Sequence, residues 1–234
     1  MRTTHPRQPP RRTGGARAWW GKAWQRAVEE AAFTDSDLQQ GRRIARRAEV
    51  GAISVDAGEL LAAVREGDDA WTVEVEVPVL SDADRRSLVG VVAAETGRIA
   101  ALLAGDLAHD LVEHAEELGV ELLPYGGELA ATCSCPHALD PCAHALAVLV
   151  QVGWLVDADP LVLFALRGLD REMLLGDLHA RAVGGGGAGA AGDTAGETVA
   201  DLADDVEVAA DAVLRARRLI ELLESGADVP DGLL

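Results

Sequence analysis

Hydrophobic and polar positions change period several times along this chain. Residues 18–33 (AWWGKAWQRAVEEAAF) put Trp20, Trp24, Val28 and Ala31 on one stripe, the spacing of a helix with a buried face. Asp35 to Asp37 start a second helix, whose Arg42, Arg43, Arg46 and Arg47 form a small basic face. Three strand-like stretches follow, at about 50–56, 59–65 and 71–79. In the last, Trp71, Val73, Val75, Val77 and Val79 alternate with Thr72, Glu74, Glu76 and Pro78, which predicts one buried and one wet face. Glu66-Gly67-Asp68-Asp69 is a turn signal between the second and third stretches, and the three read as a small antiparallel meander.

Ser81 then reads as an N-cap with Asp82 and Asp84 in the first turn, opening a helix to about Leu103. A further helical stretch covers about 107–118, and 120–125 (VELLPY) reads as a short strand turning at Gly126-Gly127 into ELAATCSC. Residues 143–156 are apolar nearly all round, which predicts a buried helix. Asp157-Ala158-Asp159-Pro160 breaks it, and Pro160 suits the first turn of the next helix. Residues 181–198 read as a Gly/Ala linker. Across 199–226, Leu202, Val206, Ala209, Val213, Ala216, Ile220 and Leu223 recur at heptad spacing, an amphipathic helix that could dock in cis, pair with a partner or self-associate.

Composition narrows the class. At 3% aromatic residues, the core must be mostly Ala, Val and Leu. No run approaches the roughly 18 apolar residues of a membrane span. Residues 1–17 carry Pro, Gly, Arg and Thr without periodicity and read as a disordered basic tail. They lack the apolar core of a signal peptide, so the expected location is cytoplasmic. The net charge of −18 is uneven: residues 1–50 hold eleven basic and five acidic side chains, a net of +6, and the rest carries −24. Most of the surface therefore repels phosphate backbones, and nucleic acid would have to contact the N-terminal fifth.

The chemistry concentrates in residues 133–144, C-S-C-P-H-A-L-D-P-C-A-H. Cys133, Cys135, Cys142 and His144 supply the four thiolate and imidazole ligands of a closed, structural zinc site. An extended backbone sends Cys133 and Cys135 to one face. Pro136 and Pro141 stiffen the intervening loop, and Cys142 and His144 sit where the buried helix starts, whose N-terminus favours thiolates. A redox dithiol fits less well, because such pairs usually enclose two residues. An iron–sulfur cluster would want four cysteines. His137 and Asp140 read as solvated loop residues, with a spare-ligand role as the alternative. His109, His114 and His179 lack a paired nucleophile, and no catalytic motif is evident, so an enzyme is not expected.

C-x-C-x6-C-x-H followed directly by an apolar helix resembles the SWIM zinc finger. Trp19-Trp20-Gly21 with Trp24, Gly41-Arg42-Arg43 with Ala45-Arg46, Val77-Pro78-Val79-Leu80, and Asp157, Asp159, Pro160 and Leu166-Arg167-Gly168 extend the likeness to bacterial, actinobacterial-type members of that family, over about 18–180. The resemblance implies Zn2+ at the four ligands and a DNA-binding or protein–protein interaction module, a companion of a helicase-like ATPase of the chromatin-remodeller type. One departure bears on DNA: family members often carry Lys between the last Cys and His, and this chain has Ala143.

The expected fold is α+β. An N-terminal α+β region (18–119) holds the helical segment, the meander and further helices. A SWIM-type region (120–180), a zinc-stapled β-hairpin-plus-helix finger with following helices, comes before the linker and the C-terminal amphipathic helix. The expected function is a protein–protein adaptor working with the ATPase. The alternative is nucleic-acid binding through Arg11, Arg12, Arg42, Arg43, Arg46 and Arg47.

Overall fold

Alternation in the β-rich stretches is realised as one antiparallel sheet of five strands in sequence order: β1 (Thr3–His5), β2 (Val50–Asp56), β3 (Glu59–Glu66), β4 (Asp69–Glu76) and β5 (Ala130–Cys133). The computed structural model describes residues 2–13 and 15–185, within a unit spanning Met1–Gly187. The expected heptad helix at 199–226 lies outside the described residues. The architecture is α+β, with a short 3-10 turn (Gly126–Glu128) and eight α-helices among the described residues. These are α1 (Trp19–Ala31), α2 (Asp35–Arg46), α3 (Asp82–Ala93), α4 (Thr96–Leu103), α5 (His109–Glu117), α6 (Ala143–Ala158), α7 (Leu161–Leu166) and α8 (Arg171–Gly185).

α6 is the centre of the fold. Its residues are buried on all sides, as an apolar sequence without a polar face requires. α1 and α2 pack against it, and it also meets strands β2 to β5. Two tryptophans tie α1 to it: Trp20 Nε1 donates to Val156 O at 2.9 Å and Trp24 Nε1 to Leu149 O at 3.0 Å. Gly153 makes room for the second, since a Cβ there would stand 2.8 Å from Trp24 Cδ1. Gly41 does the same between α2 and α6, where a Cβ would lie 2.8 Å from Leu146 Cβ and 2.9 Å from Ala143 O. Buried Gln151 of α6 donates to Ala45 O at 2.8 Å near the end of α2. Ser81 caps α3 with Asp84 in a reciprocal capping box.

Several expectations need correction. Residues 3–5 are not disordered: they pair with β2 (Thr3↔Val55, His5↔Ile53) as an edge strand. The segment behind them is held by Arg7 Nε donating to Ala48 O at 2.6 Å and Arg11 N to Arg46 O at 3.0 Å. Backbone pairing of this kind needs no apolar periodicity, so the pattern does not show it. The helix expected from Ser81 to Leu103 is two helices, divided at Ala94 and Glu95. β4 ends at Glu76, before Val79, which is exposed. α8 runs to Gly185, into the stretch read as the start of the linker. No strand forms at 120–125, so the finger contains no local hairpin. β5 takes β4 as its partner, from Val73↔Cys133 to Glu76↔Ala130. The meander and the finger therefore share one sheet.

Candidate metal centre

Each of the four expected ligands is placed by a different constraint. Cys133 is the last residue of β5, in register with Val73. Beyond it, Ser134 N donates to Thr72 O at 2.9 Å and Thr72 N to Ser134 Oγ at 2.9 Å, which keeps the chain extended through Ser134. The i, i+2 spacing then puts Cys135 on the same side as Cys133. Cys142 is the N-cap of α6, and His144 lies in its first turn. The intervening bend contains the cis Asp140–Pro141 peptide.

The sulfur atoms of Cys133, Cys135 and Cys142 and one ring nitrogen of His144 all lie within 4.8 Å of one another. Cys135 Sγ is 3.6 Å from Cys142 Sγ, and His144 Nδ1 is 4.0 Å from both Cys133 Sγ and Cys142 Sγ. A tetrahedral zinc with Zn–S near 2.3 Å and Zn–N near 2.0 Å has S···S edges of about 3.8 Å and S···N edges of about 3.6 Å. The donor set therefore fits zinc in number, type and spacing. It is too open for a disulfide, whose sulfurs approach to about 2.05 Å.

Burial pushes the Cys133 thiol up to about 12, with the neighbouring thiols of Cys135 and Cys142 adding to the effect. Cys142 is also raised, by burial first, although the amides of Ala145 and His144 at the start of α6 pull against it. Three clustered thiolates need a cation, and a divalent metal supplies one.

The rest of the motif does less. His137 is tied up inside its loop, where Nδ1 lies 2.9 Å from Leu139 O and 3.2 Å from Leu139 N, and its Nε2 lies 3.8 Å from Asp37. Neither His137 nor Asp140 joins the four clustered ligands. His109 packs at a tilt against the Trp19 ring and lies 3.3 Å from Glu113, far from any thiol in the chain order. The sequence reading missed Glu66, whose Oε2 stands 3.0 Å from His144 Nε2. Glu66 showed itself there only as the first residue of a turn signal. Trp71, two residues past that turn, faces the His144 ring at 6.2 Å between centroids.

The SWIM zinc finger model matches residues 118–153, which contain all four ligands. The Mycobacterium tuberculosis protein named "Uncharacterized protein Rv2102" is 32% identical over 192 residues, covering 81% of this chain and 68% of that protein. The chain belongs to the SWIM zinc finger family. No solved structure shows a significant match. The SWIM finger is a zinc-binding module, and in this SWIM protein it draws one strand from the sheet and one helix from the core. The family-like residues outside the finger collect around α6 and the strand ends. Trp20, Gly21 and Trp24 meet α6 through Val156, Asp157, Leu149 and Gly153. Arg167 reaches Pro78 O at 2.5 Å and Glu121 O at 2.6 Å. No described helix is long and apolar enough to cross a membrane.

Proposed function

We propose that Cys133, Cys135, Cys142 and His144 bind one structural zinc, and that the chain is a protein-interaction adaptor whose partner is a helicase-like, remodeller-type ATPase. SWIM domains mediate protein or nucleic-acid interactions. The finger loop favours protein: it exposes Leu139, carries Asp140, and has no Lys or Arg between Cys133 and His144. Such a loop offers nothing to neutralise phosphates, which supply most nucleic-acid affinity. Four protein ligands also leave zinc no open position for a substrate, in keeping with a binding role.

The test is affinity capture from the source cell with the zinc-loaded chain and with Leu139→Asp. An ATPase recovered by the first and lost with the second is the expected result. Equal recovery by both removes the finger loop from the account.

A second reading has its own support. The N-terminal segment runs beside the end of α2 through the Arg11–Arg46 and Arg7–Ala48 bonds, and Arg11, Arg12, Arg43 and Arg47 are exposed there. Arg42 is less available, being paired with Glu29. If this face binds duplex, log affinity falls linearly with log salt and drops on replacing Arg43 and Arg47 by Ala. A flat salt response eliminates it.

A further inference from the structure

His144 offers two nitrogens, and the fold gives each a different neighbour. Nδ1 points at the sulfurs, 4.0 Å from Cys133 Sγ and from Cys142 Sγ. Nε2 points away from them, at Glu66 Oε2, 3.0 Å distant. The ring is buried, while Glu66 stands half exposed at the hairpin end. Glu66 closes the β3–β4 hairpin, seventy-eight positions away in sequence. Its other oxygen faces Gln40 Nε2 of α2 at 3.4 Å, so the carboxylate is steadied from a second element.

We propose that Glu66 is a positioning residue of the metal centre, which fixes His144 in the tautomer that carries its proton on Nε2 and binds zinc through Nδ1. The inference rests on the zinc assignment of the preceding section. A neutral imidazole has one N–H and one lone pair, and a carboxylate can only accept. Glu66 therefore selects the Nε2–H form and leaves the Nδ1 lone pair directed at the metal. The same hydrogen bond fixes the ring plane and makes the imidazole a stronger donor to the cation, the role carboxylates take behind metal-bound histidines. Being on the hairpin, Glu66 also makes the β3–β4 turn part of the metal centre. The sheet then contributes twice, through Cys133 on β5 and through Glu66 on β3.

The test uses the full chain labelled with 15N-histidine and loaded with zinc. Long-range 1H–15N correlation spectra of His144 are expected to show a protonated Nε2 and a metal-shifted Nδ1. Glu66→Ala is expected to lower zinc affinity about 10- to 100-fold in chelator competition, and Glu66→Gln, which keeps a carbonyl acceptor, by less. Asp68→Ala, in the same exposed turn, is expected to leave affinity unchanged and controls for loss of hairpin charge. Metal bound through Nε2 overturns the proposal even with zinc at one per chain. So does wild-type affinity in Glu66→Ala, or an equal loss in Asp68→Ala. Failure of the zinc assignment looks different: the wild-type chain then holds well under one zinc, and the proposal falls with it.

Discussion

At the residue scale, the thiols determine how the centre responds to acid. Burial lifts Cys133 to about 12 and raises Cys142 as well. Raised values mean that Cys133 and Cys142 hold their protons through neutral pH when no metal is bound, while zinc takes the thiolates. Binding therefore releases protons, and affinity rises with pH. With the Cys133 and Cys142 protons both displaced, the dependence approaches about a hundredfold per pH unit below neutrality. Chelator competition between about pH 6 and about pH 8 measures it; a pH-independent affinity would show that zinc does not displace these protons. Cys142→Ala should abolish stoichiometric zinc altogether, read by metal analysis of the purified chain. Glu66 belongs to the same scale, and its role is carried by one 3.0 Å contact that spacing along the chain does not show.

At the element scale, α6 is positioned by backbone approaches that only small residues permit. Gly41 is the sharpest case for the metal, because the atoms it meets, Ala143 O and Leu146 Cβ, belong to the turn that carries His144. Gly41→Ala should push α2 off that turn. An overpacked contact of this kind costs roughly 1–3 kcal/mol, and zinc affinity should drop alongside the melting temperature. Unchanged melting would mean that α2 can slide without penalty. The N-terminus of α1 is served from the opposite end of α6: Asp157 Oδ1 accepts from Arg17 N and Ala18 N, each at 2.9 Å. This is a cap supplied through tertiary structure, since Ala18 has no capping side chain. Asp157→Ala should cost about 0.5–2 kcal/mol, the range for losing a side-chain cap, and amide exchange should quicken in the first turn of α1. Protection there equal to wild type would argue that water serves these amides as well.

For the whole molecule, the question is how far the metal's influence spreads. Zinc in finger peptides contributes roughly 10–16 kcal/mol, against about 5–15 kcal/mol for an ordinary domain. In this chain the centre sits at one end of α6, and the remainder of that helix is enclosed by α1, α2 and the sheet. Leu149, Val152 and Val156 are fully buried among these elements. Chelation should therefore deprotect amides of residues 130–146 first, with 149–156 exchanging more slowly. Hydrogen exchange after metal removal separates this from its alternative, in which all of these amides lose protection together because the metal holds the entire core.

The elements carried by local pattern were legible in the sequence. The strands read at about 50–56 and 59–65, the Ser81 cap, the all-apolar helix from Ala143 and the clustering of Cys133, Cys135, Cys142 and His144 depend on side chains within a few residues of one another. Their periods and spacings are therefore written along the chain. What needed the tertiary structure was every partner distant in sequence. The edge strand at Thr3–His5 is made by backbone bonds to β2, and β5 joins β4 rather than a neighbouring strand. Asp157 reads as a helix breaker yet caps α1, and Glu66 reads as a turn yet holds His144. The physical reason is the same in each case. A hydrogen bond between residues many tens of positions apart leaves no period in the sequence, because its geometry is set by how α6 and the sheet pack.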